Sequence, residues 1–74
     1  MKMEIRLIAA EGSCFIQGAD ELGVTWSMGF DRCHVDDQEI CFFNEGIEIA
    51  AIDTSSALDV EGFCSKHSLE FSNC

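Results

Sequence analysis

The sequence predicts an α+β domain: an antiparallel β-meander of four to five strands with one C-terminal helix packed on one face. Three features lead there. Apolar and polar residues alternate from Lys2 to Leu7 and from Val24 to Asp31, the pattern of strands with one buried face. Turn-forming segments interrupt those runs, leaving links too short for the crossover that parallel neighbours need. Towards the end of the chain the apolar spacing changes from two to a helical repeat.

In chain order, residues 2–10 form the first strand, with Met3, Ile5 and Leu7 on one side and Lys2, Glu4 and Arg6 on the other. Glu11-Gly12-Ser13 supplies a turn, because glycine accepts positive φ and serine bonds to nearby backbone. The chain returns through Cys14, Phe15 and Ile16 as the second arm of a hairpin. Gly18 to Gly23, with Asp20 and Glu21 between them, reads as a second turn. Val24, Trp26, Met28 and Phe30 then alternate with Thr25, Ser27, Gly29 and Asp31, so this third strand is expected to carry the core. The polar stretch Asp31 to Glu39 reads as a long connection. Ile40 to Phe43 and Ile47 to Ile52 read as two more strands, joined at Asn44-Glu45-Gly46.

Ser56 and Asp59 stand at capping-box spacing ahead of the predicted helix. Asp59 and Glu61 at its start and Lys66 and His67 at its end suit the helix dipole. Ala57, Val60, Cys64 and His67, flanked by Leu58 and Phe63, form its apolar stripe, and Gly62 inside it costs about 1 kcal/mol relative to alanine. Leu69 to Phe71 adds a short final edge strand.

The 74 residues form a single domain, 1–74, with no proline, repeat, low-complexity tract or linker to divide it. A chain of this size hides only about 60% of its unfolded surface, so it depends on dense packing. Its 47% hydrophobic content supports that packing. The longest uninterrupted apolar runs are four residues, Leu7 to Ala10, Ile40 to Phe43 and Ile49 to Ile52. A membrane-spanning helix needs about 20, so no membrane partner is expected. Glu4 and Arg6 fall where an export signal would have its apolar core, and five cysteines without such a signal suit a reducing, cytoplasmic setting with free thiols.

Cys33, Cys41, Cys64 and His67 offer the ligand types of a zinc site, but structural zinc ligands come in close pairs and Cys33 and Cys41 stand eight apart. No metal or other cofactor is expected. Cys64 and His67 lie one helical turn apart, where an imidazole could help form a thiolate; the negative end of the helix dipole and the acidity of the chain oppose it. Phosphate-binding glycine loops, nucleophile elbows and His-Glu-x-x-His pairs are all missing from the sequence, so the chain is not expected to be an enzyme. The run from Ala57 to Phe71 resembles the final helix and strand of TusA-like sulfur-carrier domains. Those domains carry sulfur on a Cys-Pro motif that this proline-free chain lacks, so the resemblance implies a similar helix-to-strand ending and transfers no catalytic residue.

Charge is the most informative property. Fourteen acidic residues against four basic ones give a formal net charge of -10, which excludes an unaided nucleic-acid binder. Nine of the acids lie between Asp31 and Glu61, against Arg32 alone. Acids can serve merely to keep a hydrophobic small protein in solution. They can also face a positive surface on a partner.

In size and composition the chain resembles the small acidic anti-CRISPR proteins encoded by phages, and related nucleic-acid mimics. That resemblance implies a stoichiometric inhibitor acting in the cytoplasm of a host cell. It would lay carboxylates where phosphates would lie, on the basic nucleic-acid-binding surface of a CRISPR–Cas complex or similar nuclease, and block DNA recognition. The expected partner-binding residues are Asp31, Asp36, Asp37, Glu39, Glu45 and Glu48. The alternatives are a thiol-dependent sulfur-carrier or redox domain using Cys64, and a non-catalytic accessory subunit of a larger assembly.

Overall fold

The computed structural model describes residues 4–54 and 59–73. β1 (Glu4–Ala10), β2 (Ser13–Asp20) and β3 (Gly23–Phe30) form one antiparallel sheet in that order. β4 (Arg32–Val35), β5 (Glu39–Asn44), β6 (Ile47–Asp53) and β7 (Glu70–Asn73) form a second sheet in the order β6-β5-β4-β7, and the helix α1 (Val60–Lys66) lies between β6 and β7 in the chain. Among the described residues the architecture is mainly β with a single helix.

Two turns are built alike. Glu11-Gly12 and Glu45-Gly46 each place both residues at positive φ, the conformation that matches a two-residue hairpin to the twist of its strands. Glu21-Leu22 makes the third tight link, where the Asp20 carboxylate accepts the Leu22 N–H at 2.8 Å.

The single meander is corrected to two sheets. Cys14 opposite Phe30 is the last β2–β3 pair, and one residue later the Asp31 N–H donates to the Phe43 carbonyl at 2.9 Å. The chain thus changes sheets at Asp31. Within the stretch read as a connection, Arg32-Cys33-His34-Val35 is a strand that alternates outward and inward, with cysteine as one of its apolar residues. The last strand is an edge strand as expected, but it breaks the antiparallel pattern: β7 lies parallel to β4, with β5, β6 and α1 making up the crossover.

The third strand differs from expectation in its burial. Only Phe30 is fully buried, Trp26 is half-buried, and Val24 and Met28 are exposed. Trp26 pairs with Gly18 but Val24 pairs with Ala19, so Thr25 is an extra residue and Val24 turns to the opposite face. The Thr25 hydroxyl donates to the Gly18 carbonyl at 3.1 Å at that point.

The described helix starts at Val60 with Asp59 as its cap, the Asp59 carboxylate accepting the Gly62 N–H at 3.0 Å. Asp59 is therefore itself the cap of the described helix. Ser56, Ala57 and Leu58, and Lys2 and Met3 of the first strand, lie outside the described residues.

The core draws on all three parts. Cys14, Ile16 and Phe30 come from the first sheet, Cys33, Ile40 and Phe42 from the second, and Val60 and Cys64 from the helix. Phe30 meets Phe42 edge-on at 5.0 Å between ring centroids and Phe63 at 6.0 Å, which joins the sheets and the helix. Among the described residues, no helix is long and apolar enough to cross a membrane.

Candidate functional site

The second sheet has a buried side and an open side, and strand register assigns residues to each. Cys33, Phe42, Ala50 and Phe71 form a row facing the core. One residue along, Glu48, Phe43, Arg32 and Glu70 line up on the opposite face, followed by Ala51, Cys41, His34 and Ser72, and then Asp53 and Glu39. A bulge opposite Phe42-Phe43 places Glu48 on this outer face. Four carboxylates thus frame a centre of mixed chemistry.

That centre is held in place by side-chain contacts. The Arg32 guanidinium lies 4.2 Å from the centroid of the Phe43 ring, a cation–π contact that keeps a cation in the middle of the acidic frame. His34 Nδ1 and Ser72 Oγ are 2.7 Å apart and tie β4 to β7 through side chains. The Cys41 thiol donates to Glu39 Oε1 at 3.7 Å. Its pKa is pushed up to about 11, chiefly by desolvation and then by the charges of Glu48 and Glu39, so at neutral pH it is a protonated, unreactive thiol.

The six acids expected from sequence all lie on the second sheet or its turns, in three groups. Glu39 and Glu48 are on the outer face, on either side of Cys41. Asp36 and Asp37 occupy the β4–β5 turn. Asp31 and Glu45 sit at the opposite end of the sheet, where Asp31 Oδ2 accepts the Glu45 N–H at 3.1 Å. Two of the six shape the backbone as well as carrying charge. Asp31 fixes the β5–β6 turn, and Asp36 Oδ1 accepts the N–H groups of Gln38 and Glu39, both at 2.8 Å. Those hydrogen bonds hold the Asp36 carboxyl below its ordinary range.

Asp53 and Glu70, and the central Arg32, His34, Cys41 and Phe43, were not among the partner-binding residues expected from sequence. Glu39, Cys41 and Phe43 alternate outward, but the inward Ile40 and Phe42 between them are also apolar. The run Ile40 to Phe43 therefore shows no period of two.

Cys33, Cys41 and Cys64 do not converge on a zinc site. Cys33 faces the core while Cys41, on the neighbouring strand, faces outward. No group of three or more His, Cys, Asp or Glu among the described residues is arranged to hold a metal ion. Cys64 is 0% exposed, and burial raises its pKa. Cys33 lies beside it and is raised as well, first by burial and then by the Cys64 thiol. His67 packs against Phe63 at 4.5 Å between ring centroids. No family, no curated protein and no solved structure matches the chain.

Proposed function

We propose that the protein is a non-enzymatic inhibitor whose second sheet occupies the cation-lined nucleic-acid-binding surface of a nuclease or a CRISPR–Cas surveillance complex. One observation carries this reading: the second sheet with its turns holds eight carboxylates against the single Arg32, and four of them, Glu39, Glu48, Asp53 and Glu70, frame one open face. A face on which one sign predominates raises the local concentration of an oppositely charged surface and speeds encounter. Phe43 and Arg32 at its centre supply the aromatic and guanidinium groups that most often anchor an interface. Cys64 does not support the sulfur-carrier alternative, because a fully buried, protonated thiol is a poor nucleophile.

The test is charge reversal on the open face. The triple variant Glu39→Lys, Glu48→Lys, Glu70→Lys leaves the backbone-capping Asp31 and Asp36 intact. It is expected to lose at least tenfold in inhibition of target DNA binding by such a complex. The matched triple Glu4→Lys, Glu11→Lys, Glu21→Lys, on the first sheet and its turns, keeps the change in net charge and is expected to retain inhibition much better. Equal inhibition by both triples, or inhibition insensitive to salt, defeats the reading.

A further inference from the structure

We propose that the outer edge of β3 is a docking strand for an extended segment of another protein, apolar through its middle and carrying lysine or arginine at both ends. This edge belongs to the first sheet, so the proposal stands or falls independently of the acidic face on the second. Among the described residues, no strand pairs with β3 on the side away from β2. An eight-residue strand therefore presents open N–H and C=O groups.

Sheet edges are ordinarily guarded by charge or proline, and Gly23 to Phe30 contains neither. The other edge strands are guarded: β1 by Glu4 and Arg6, β6 by Glu48 and Asp53, and β7 by Glu70. The Thr25 bulge blunts the start of β3. Beyond it, Trp26, Ser27, Met28 and Gly29 pair regularly with β2.

Two apolar side chains of β3 are open to solvent, Val24 at 53% and Met28 at 45%, as is Leu22 at 92% in the turn that leads into it, while Trp26 is half-buried and Phe30 buried. Val24 shares a face with Ala19 and Met28 shares the opposite face with Ile16. An added strand covers both residues, whereas a ligand lying on one face of the sheet covers only one. This is the geometry of strand addition, in which main-chain pairing supplies affinity and alternate side chains supply selectivity.

Charge selects the occupant. Asp20 and Glu21 stand at one end of β3 and Asp31 at the other. A second copy paired antiparallel would set Asp20 and Glu21 against Asp31 of the other molecule, and a parallel copy would set like ends together. Either arrangement brings carboxylates face to face between two chains of net charge -10. A segment with basic ends meets acids at both ends and an uncharged strand between them.

The probe is a synthetic peptide with a valine-rich apolar middle and two lysines at each end, titrated into the isotope-labelled full chain by NMR. It is expected to shift and protect β3 amides. A version with glutamates at its ends should bind at least tenfold more weakly, and one N-methylated at every central residue should not bind. Met28→Lys and Val24→Lys should each weaken binding at least tenfold with the thermal melt unchanged. Should these variants misfold, the N-methylated peptide still tests the edge on the unaltered chain. Absence of binding, equal binding of the two charge versions, retained binding of the N-methylated peptide, shifts confined to the second sheet, or self-association through β3 in sedimentation overturns the proposal.

Discussion

Ser68 sits at φ +59° just past the helix, a left-handed conformation that costs a non-glycine residue about 1 kcal/mol. The surrounding hydrogen bonds explain why it is held there. The Leu69 N–H reaches the Cys64 carbonyl at 2.9 Å and the Ser68 N–H reaches the Ser65 carbonyl at 3.4 Å, the paired closure that ends many helices, usually with glycine at this position. Ser68→Gly is therefore expected to stabilise the fold by about 1 kcal/mol in urea unfolding. Asp36 gives a pH-dependent counterpart. Its carboxyl is lowered from the ordinary 3.8 by the Gln38 and Glu39 N–H groups, so the folded chain binds that proton less readily than the unfolded one. The resulting stability is complete above about pH 4 and is lost as pH falls through the lowered value. Asp36→Asn should lower the melting temperature at pH 7, and the difference from the parent chain should shrink towards pH 2. A difference that stays constant across that range counts against the hydrogen-bonded carboxylate.

The elements differ in how plainly the sequence announces them. The β1–β2 hairpin was legible because β1 alternates and Gly12 marks its turn, and the strands after Glu39 because two short apolar runs are separated by the turn signal Asn44-Glu45-Gly46. β4 was not, because a four-residue strand whose inward residues are Cys33 and Val35 and whose outward ones are Arg32 and His34 reads as a polar loop. The partner of β7 was not legible either, since no local pattern encodes which distant strand a segment joins. The six expected acids all fall on the second sheet or its turns, but their division into an open face and two turn ends depends on register, which only the folded sheet supplies. The β2–β3 bulge was hidden for the same reason. Gly18 marks it: a β-carbon there would collide with the Trp26 indole, which lies directly over the glycine. Gly18→Ala is thus expected to cost about 1–3 kcal/mol in denaturant unfolding and to shift the Trp26 fluorescence. An unchanged midpoint and spectrum would show that the indole is not seated on Gly18.

Taken together, fourteen acids and four bases on so short a chain make the folded state repel itself. Raising ionic strength from about 0.01 M to about 0.15 M shortens the reach of that repulsion from about 30 Å to about 8 Å. The melting temperature should rise by several degrees over that interval, a gain on the order of 1 kcal/mol for a domain of this length. A flat response would place the carboxylates too far apart, or too well balanced locally, for their mutual repulsion to matter.

The core seam has its own consequence. Cys14 of the first sheet, Cys33 of the second and Cys64 of the helix meet where the three parts join, and the latter two are wholly shielded. An alkylating reagent can reach Cys33 or Cys64 only when that junction parts. The rate at which they are consumed is therefore a clock for breathing motions of the native chain, read without any added label.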